Sequence, residues 1–249
     1  MGRLVLITGA SSGIGAELSR LFLERGDTVA ACARTENKLD AVAHRLASDR
    51  FVPVPLDVTD TSAVEEAIAG IEREHGPIDL AVLNAGTYAP TPANAFGACA
   101  VRTMIDVNVI GISNVLAALM PRMIERRKGH LALMSSVAGY RGLPMAAGYS
   151  ASKAAVIAMG ESLKPELDGL GVKLQVICPG FVKTPLTDQN AFPMPYLMEV
   201  EDAAQRIMQG LDSSRFQIAF PRRFALQLKF LRLLPDALYF TLIKKATGL

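Results

Sequence analysis

Short apolar segments alternate with longer amphipathic segments along most of this 249-residue chain. The strand-like apolar segments are 3–9, 28–33, 51–58, 78–86, 129–136, 173–180 and 216–220, and the predicted helices lie near 14–25, 36–47 and 61–75, within 100–126, and from about 149. This succession favours right-handed β-α-β crossovers, and continuous apolar strands are typical of a parallel sheet that is buried on both faces. We therefore predict an α/β fold, a doubly wound parallel sheet with helices on both faces.

The chain is predicted to form one domain. Half of its residues are apolar, which is enough for one large core, and α/β folds of this length are commonly single domains. Residues 1–220 would form the main body, including a long loop at 184–200. Residues 221–249 would extend the same domain and carry six Lys or Arg against one Asp, a net charge of +5.

The remaining composition excludes several classes of protein. Lys and Arg number 26 against 24 Asp and Glu, so no overall positive field favours nucleic acid. Cys32, Cys99 and Cys178 are scattered and lack a C-x-x-C pair, which argues against a disulfide framework or a metal site and fits a reducing cytoplasm. A strand-like segment begins at Arg3, which leaves no room for a signal peptide. The apolar stretch 225–243 is interrupted by charges and a proline, so it is a poor membrane-spanning helix.

A glycine-rich turn, LITGASSGIG, connects the first strand to the first helix. Glycines in such a turn let backbone amides approach a phosphate, and the helix N-terminus attracts its charge. The residues expected to contact a dinucleotide here are Gly9, Ser11, Ser12, Gly13, Ile14 and Gly15. The spacing G-x-x-x-G-x-G lacks the Gly-Lys-Ser/Thr of nucleotide hydrolases, so a P-loop is not favoured.

The segment ACARTEN after the second strand indicates which dinucleotide binds. An acidic residue at this place favours NAD, whereas an arginine accommodates the 2′-phosphate of NADP. Ala33 stands where the acid is expected and Arg34 follows, so we predict NADP(H). Asp57, at the end of the third strand, is placed to reach the adenine ring, and its alternative role is a turn or helix cap.

Tyr149 and Lys153 lie four positions apart in the segment AAGYSASKAA. On a helix this spacing brings their side chains to one face. An adjacent ammonium would lower the pKa of the phenol and suit it to proton transfer. A simple surface contact is the alternative.

Four segments together resemble the short-chain dehydrogenase/reductase family. They are T-G-x-x-x-G-I-G at Thr8–Gly15, N-A-G at Asn84–Gly86, Y-x-x-x-K at Tyr149–Lys153, and P-G at Pro179 and Gly180. The resemblance covers residues 3 to about 185. It implies a single-domain Rossmann fold of seven parallel strands and the nicotinamide-dependent interconversion of an alcohol and a carbonyl compound.

The resemblance also implies roles for individual residues. Ser136 matches the catalytic serine, with Ser135 as the less favoured candidate, and Asn108 matches the asparagine that holds a water in the family's proton relay. Tyr149 would be the general acid, and Lys153 would also bind the nicotinamide ribose. The remaining matches contact or shape the cofactor site: Asn84, Ala85, Gly86, Pro179, Gly180, Val182 and Thr184.

The loop 184–200 predicts the kind of substrate. It carries five apolar residues that would form a lid over the substrate, namely Phe192, Met194, Tyr196, Leu197 and Met198; packing on the core is the alternative. We expect an apolar carbonyl compound, such as a lipid or sphingoid-base ketone. A sugar or small-alcohol dehydrogenase, a non-catalytic dinucleotide sensor and a membrane-associated scaffold are the competing hypotheses.

The basic segment 221–249 alternates charged and apolar residues and is predicted to break near Pro235. It would pack against a second subunit, lie on an anionic membrane surface, or cap the active site. By the resemblance, the protein would assemble as a homodimer or homotetramer through the helices near 100–126 and 149–168. We expect it in the cytoplasm; the alternative in which residues 221–249 lie on a membrane surface would add peripheral membrane contact.

Overall fold

Seven strands form one parallel sheet in the computed structural model, which describes residues 2–190 and 192–248. They are β1 (Leu4–Thr8), β2 (Thr28–Ala33), β3 (Phe51–Pro55), β4 (Leu80–Leu83), β5 (Gly129–Met134), β6 (Val172–Pro179) and β7 (Gln217–Phe220). Their order across the sheet is β3-β2-β1-β4-β5-β6-β7. The predicted α/β fold and each predicted strand are confirmed.

The helices connect these strands and cover both faces of the sheet. They are α1 (Gly13–Glu24), α2 (Glu36–Leu46), α3 (Thr61–His75), α4 (Ala98–Ile105), α5 (Gly111–Glu125), α6 (Ala147–Gly169), α7 (Val200–Leu211), α8 (Arg222–Leu233) and α9 (Asp236–Thr247). A π-helical turn, Asp106–Ile110, joins α4 to α5 without a break. The α8–α9 boundary confirms the predicted break near Pro235.

The core lies on both faces because side chains alternate along each strand. Val5 and Ile7 of β1 pack with α1, α2 and α7 on one face. Leu4 and Leu6 pack with α3, α5 and α6 on the other. The continuous region Ala98–Glu125 is long and apolar enough to span a membrane by length and composition. In this fold its inward face belongs to the core beside the sheet.

The order of the strands places a crevice at the carboxyl-terminal ends of the strands, beside β1. The chain leaves β1 for β2 and β3 on one side and returns to β4 on the other side of β1. At such a switch point the connections to neighbouring strands run in opposite directions, and ligands of open α/β sheets bind outside the carboxyl ends of the strands there.

Candidate functional site

A cavity of about 520 Å³ opens at the carboxyl ends of the strands. Most of the predicted site residues line it: Gly9, Ser11, Ser12, Gly13, Ile14, Arg34, Asp57, Asn84, Ala85, Gly86, Ser136, Tyr149, Lys153, Pro179, Gly180, Val182 and Thr184. Among the described residues, two predicted site residues do not line the cavity: Gly15 and Asn108. The fold therefore brings residues from seven segments that are separate in sequence to one site.

The glycine-rich turn has the backbone needed to bind an anion. Gly9 and Gly13 have φ angles of +68° and +51°, a region that residues with side chains rarely adopt. A Cβ atom on Gly15 would lie 2.3 Å from the carbonyl oxygen of Gly9, so Gly15 permits close packing of the turn and does not face the cavity. Within the described chain, the Ser12 side chain makes no capping hydrogen bond to α1. The first amides of α1 are therefore available to an anion.

Asn84 ties the end of β4 to the glycine-rich turn. Its Nδ2 donates to the carbonyl oxygens of Thr8 at 3.0 Å and of Gly9 at 3.2 Å. The amide of Ala85 donates to Oγ1 of Thr8 at 3.0 Å. These bonds fix the relative position of the two strand ends that form the floor of the cavity.

Two cations stand at the end of the cavity beside β2. Arg34 is 77% exposed, and its Nη1 lies 4.0 Å from Oδ2 of Asp57. Lys38, one helical turn further along, also lines the wall; the sequence interpretation missed it. Ala33, where an acid would favour NAD, is buried. This end of the cavity can therefore attract an anion.

Asp57 is held by its own turn. The backbone amide and the hydroxyl of Thr59 donate to Oδ1 of Asp57 at 2.9 and 2.8 Å. The backbone hydrogen bond, the hydroxyl and the nearby Arg34 together lower the pKa of this carboxyl, against a smaller effect of burial. Asp57 thus combines its predicted place on the cavity wall with the alternative role in a turn.

Ser136 and Tyr149 meet on the opposite side of the cavity. The Ser136 hydroxyl donates to the carbonyl oxygen of Pro179 at 3.3 Å and accepts from the amide of Ala138 at 3.1 Å. These weak or local bonds leave Oγ on the cavity wall, beside the phenol. Ser135 instead donates to the carbonyl oxygen of Lys153 at 2.8 Å and is buried, which makes it a support for α6.

The protonation of Tyr149 differs from the sequence expectation. We expected Lys153 to lower the pKa of the phenol, but burial raises it to about 12, an effect that a hydrogen bond with Ser136 only partly offsets. The expectation was wrong because burial removes the phenolate from water, and Lys153 is not among the groups that shift this pKa. Nζ of Lys153 lies 5.6 Å from the centroid of the Tyr149 ring. Tyr149 is therefore protonated at neutral pH.

Lys153 is itself buried and held by the backbone. Its Nζ donates to the carbonyl oxygen of Met134 at 2.9 Å, at the end of β5. Burial lowers the pKa of Lys153 to about 8, so the ammonium is charged at neutral pH but loses its proton in mildly alkaline solution. Charge on this side of the cavity thus depends on pH near the physiological range.

Asn108 takes a positioning role through its side chain. It lies in the π-helical turn, fully buried. Its Oδ1 accepts from the amide of Thr87 at 2.7 Å, and its Nδ2 donates to the carbonyl oxygen of Thr87 at 3.0 Å and to Oγ of Ser152 at 2.9 Å. This carboxamide clamps the segment after Gly86 to the residue before Lys153. The role in a proton relay remains a prediction for this residue.

The comparisons with known proteins identify the family. The family model described as short chain dehydrogenase matches residues 3–192. The chain belongs to the short-chain dehydrogenase family. An uncharacterised oxidoreductase of Myxococcus xanthus is 41% identical over 239 residues, which are 95% of this chain and 94% of that relative.

Solved structures agree with the fold of this short-chain dehydrogenase. A short-chain dehydrogenase from Burkholderia cenocepacia in complex with NADP is similar with a TM-score of 0.85 and 28% identity, over 97% of each chain. A 3-ketoacyl-(acyl-carrier-protein) reductase from Brucella melitensis complexed with NADH has a TM-score of 0.79 and 25% identity, over 88% of this chain and 95% of that chain. The predicted family and Rossmann-type fold are confirmed.

Tyr88 is a residue of this dehydrogenase site that the sequence interpretation missed. Its ring meets the Tyr149 ring edge to face, with centroids 5.2 Å apart and planes at 82°. Such pairs restrict the orientation of both rings. Burial raises the pKa of Tyr88. Tyr88 lies two residues after the N-A-G segment, but this position indicates a site residue only once the fold is known.

The loop of this dehydrogenase before α7 differs from the expected lid. In the described part of the loop, none of the five expected lid residues lines the cavity, and the wall is formed by Pro185, Leu186, Thr187 and Gln189. Met198 packs on the core, as the alternative hypothesis proposed for it. Phe192, Tyr196 and Leu197 are exposed. The rings of Phe192 and Tyr196 pack against Phe181 and Phe224, away from the cavity wall.

Proposed function

We propose that this dehydrogenase interconverts a ketone and a secondary alcohol with NADP(H), with Tyr149 as the general acid and base. The observation that supports this most is the shared cavity: an anion-binding turn, two cations and a protonated buried phenol line one space of about 520 Å³. That combination can hold an extended anionic cofactor and supply a proton at its far end.

The residues present fit a dinucleotide. The turn at Gly9 and Gly13 allows backbone amides to reach a pyrophosphate, and its left-handed backbone has no Cβ in the way. The family's expected contacts at Pro179, Gly180, Val182 and Thr184 all lie on the same wall. Bound there, the nicotinamide ring supplies the hydride for reduction.

The protein residues would manage the proton and the developing charge. Tyr149 is protonated at neutral pH because its pKa is about 12, so it can donate to the oxygen of a ketone as that oxygen becomes negative. The Ser136 hydroxyl would hydrogen-bond the same oxygen, an interaction that strengthens in the transition state. The Lys153 ammonium would stabilise the phenolate that remains. Asn108 and Tyr88 would hold these groups in place.

We infer that NADP(H) is preferred over NAD(H). Arg34 and Lys38 both face the cavity beside β2, and Ala33 stands where an acid would be needed for the ribose hydroxyl. Guanidinium and ammonium groups are suited to a phosphate. The Burkholderia relative that binds NADP supports the same inference, whereas the Brucella relative with NADH shows that the fold accepts both.

We propose an apolar ketone as the substrate, such as a lipid or sphingoid-base ketone. Beyond the expected cofactor contacts, the cavity wall includes the apolar residues Met134, Pro185 and Leu186, which offer an alkyl chain an apolar surface. The alternative of a non-catalytic sensor leaves Ser136, Tyr149 and Lys153 without a use.

For its partners and location, we propose a cytoplasmic homodimer or homotetramer formed through α4–α5 and α6, with peripheral membrane contact through residues 221–249. Ile110, on the π-helical turn between α4 and α5, is an apolar side chain 45% exposed, which favours contact with another subunit on this face.

The proposal can be tested by following NADPH oxidation with methyl ketones of increasing chain length, and with a hydroxylated ketone of similar size as the control. We expect kcat/KM to rise as the chain lengthens. A preference for the short hydroxylated ketone would contradict an apolar substrate, and oxidation of NADPH with none of them would contradict ketone reduction.

A further inference from the structure

Helix α8 carries a row of exposed apolar side chains. Leu226, Phe230 and Leu233 follow one another at intervals of four and three residues, which puts them on one face of a helix. They are 65%, 62% and 80% exposed. Phe224, Ala225 and Leu228 lie on the other face and are buried against the body of the protein. The exposed row is therefore not the face that holds α8 to the fold.

Basic residues flank this row on both sides. Arg223 lies three residues before Leu226, and Lys229 lies three residues after it, on opposite borders of the row by helical geometry. The Lys229 ammonium also lies 5.3 Å from the centroid of the Tyr140 ring. Arg222 adds a charge beside Lys229. A row of large apolar residues bordered by cations is the pattern of helices that lie in the headgroup region of an anionic bilayer.

Helix α9 carries further exposed apolar side chains. Of its described residues, only Tyr239 is buried. Leu238 and Leu242 share one face and are 55% and 47% exposed. Phe240, 56% exposed, lies on another side of the helix, and Lys244 and Lys245 follow in the last turn. Exposed apolar area of this extent on two successive helices exceeds the isolated apolar residues of an ordinary surface.

The two helices are held at a fixed angle by Arg141. Its Nη1 donates to the carbonyl oxygens of Leu231 and Leu234, each at 2.9 Å. Its guanidinium carbon lies 3.8 Å from the centroid of the Tyr239 ring, and it pairs with Asp236. The arginine therefore satisfies the carbonyl groups at the end of α8 and orders the surface before anything binds to it.

The positive charge of this surface indicates which partner it binds, an anionic lipid bilayer or a second copy of the chain. A two-fold interface would place the same patch on both sides and bring two segments of +5 together. Asp236, the only acid of residues 221–249, is already paired with Arg141. Like charges opposed across an interface cost binding free energy, whereas an anionic bilayer offers both an apolar layer and negative headgroups.

We infer that the exposed face of α8 docks this protein on an anionic lipid bilayer, with Leu226, Phe230 and Leu233 entering the headgroup region between Arg223 and Lys229. The inference names the side chains and the lipid charge of the membrane contact proposed above, and rests on that proposal. It does not depend on ketone reduction.

The docking surface is joined to the loop before α7. The ring of Phe224 lies 5.7 Å from those of Phe181 and Tyr196, and Nε2 of Gln227 donates to the Tyr196 hydroxyl at 3.3 Å. A bilayer seated on α8 would thus lie beside the loop that contributes Pro185 and Leu186 to the cavity wall.

The test is a vesicle flotation assay on the full chain, with vesicles of phosphatidylcholine alone or of equal parts phosphatidylcholine and phosphatidylglycerol. An apolar variant replaces Leu226, Phe230 and Leu233 by Gln; a charge variant replaces Arg223 and Lys229 by Gln. Phe96→Gln is the control for the first, because Phe96 is 59% exposed outside this surface. Arg45→Gln with Arg73→Gln is the charge-matched control.

We expect the wild type and both controls to float with the anionic vesicles at low salt, and to be released at about 1 M salt, where the Debye length is ~3 Å. The charge variant should bind roughly 30-fold more weakly, and the apolar variant at least about tenfold more weakly. Light scattering on the same protein variants measures the molecular mass and therefore the oligomeric state of each. Three results would each overturn the inference: equal binding to both vesicle types, no flotation of the wild type, or dissociation of an oligomer in the apolar variant. NADPH-dependent activity is measured separately, so that a failure of docking and a failure of catalysis are distinguished.

Discussion

The ammonium of Lys153 lies 5.6 Å from the ring centroid of Tyr149, yet burial raises the pKa of the phenol to about 12. The lysine therefore does not make the tyrosine acidic in this structure. It stands where a positive charge would stabilise the phenolate once the proton has left. A protonated phenol beside a cation is arranged for proton donation, which favours ketone reduction at neutral pH.

The first prediction concerns pH. The pKa of Lys153 is about 8, so its charge is present below pH 8 and is lost as the pH rises through that value, while Tyr149 stays protonated until near pH 12. The kcat/KM for ketone reduction, which reports groups of the free enzyme, should be level near neutrality and fall as pH rises through about 8. A level profile up to pH 10 would show that the Lys153 charge does not contribute.

A second prediction concerns the two cations beside β2. Replacing Arg34 or Lys38 by Ala should weaken NADPH binding about tenfold each, because a charge-assisted contact with a phosphate is lost. NADH binding should change less than twofold. Isothermal titration with both dinucleotides measures this, with Arg45→Ala as the control for a loss of charge. Equal weakening of both dinucleotides would mean that neither side chain reads the 2′-phosphate.

Adjacent serines permit a third, matched test. Ser136→Ala removes the hydroxyl on the cavity wall and should lower kcat at least about a hundredfold. Losing its bonds to Pro179 and Ala138 should also lower the free energy of unfolding by about 1 kcal/mol. Ser135→Ala removes the bond to the carbonyl oxygen of Lys153 and should lower the free energy of unfolding by about 1 kcal/mol with a smaller effect on kcat. Steady-state kinetics distinguishes the two variants, and urea unfolding checks that both are folded. A larger loss of kcat in Ser135→Ala than in Ser136→Ala would exchange their roles.

A fourth prediction follows from the buried carboxamide of Asn108. Asn108→Ala leaves the Thr87 amide and carbonyl groups without their partner, which should cost at least about 2 kcal/mol of the free energy of unfolding. Asn94→Ala, at an exposed position, should cost much less. Urea unfolding of both variants decides this, and equal stability would show that the clamp does not hold the fold.

The fold and most of the cavity wall could be predicted from the sequence because both depend on local patterns. Apolar segments of strand length between amphipathic helices specify the parallel sheet. The glycines at 9 and 13 mark a turn that few other residues allow. Motif residues such as Tyr149 and Pro179 then come together because the carboxyl ends of parallel strands all lie on the same side of the domain.

Other features depend on tertiary packing and left no local signal. The direction of the Tyr149 pKa depends on how much water the fold excludes. The contact of Tyr88 with Tyr149 and the bonds from Arg141 to the end of α8 join segments that are tens of residues apart. The apolar residues of the loop before α7 suggested a lid, but apolar character alone does not tell which side of a loop faces the cavity.

The most direct test of the account is the rate of hydride transfer in Tyr149→Phe, measured in a single turnover with saturating NADPH and the best methyl ketone. The account predicts a loss of at least about a hundredfold with NADPH affinity within twofold of the wild type, since the phenylalanine keeps the ring against Tyr88 and removes only the proton donor. A variant that retains more than about a tenth of the wild-type rate would show that the proton comes from elsewhere.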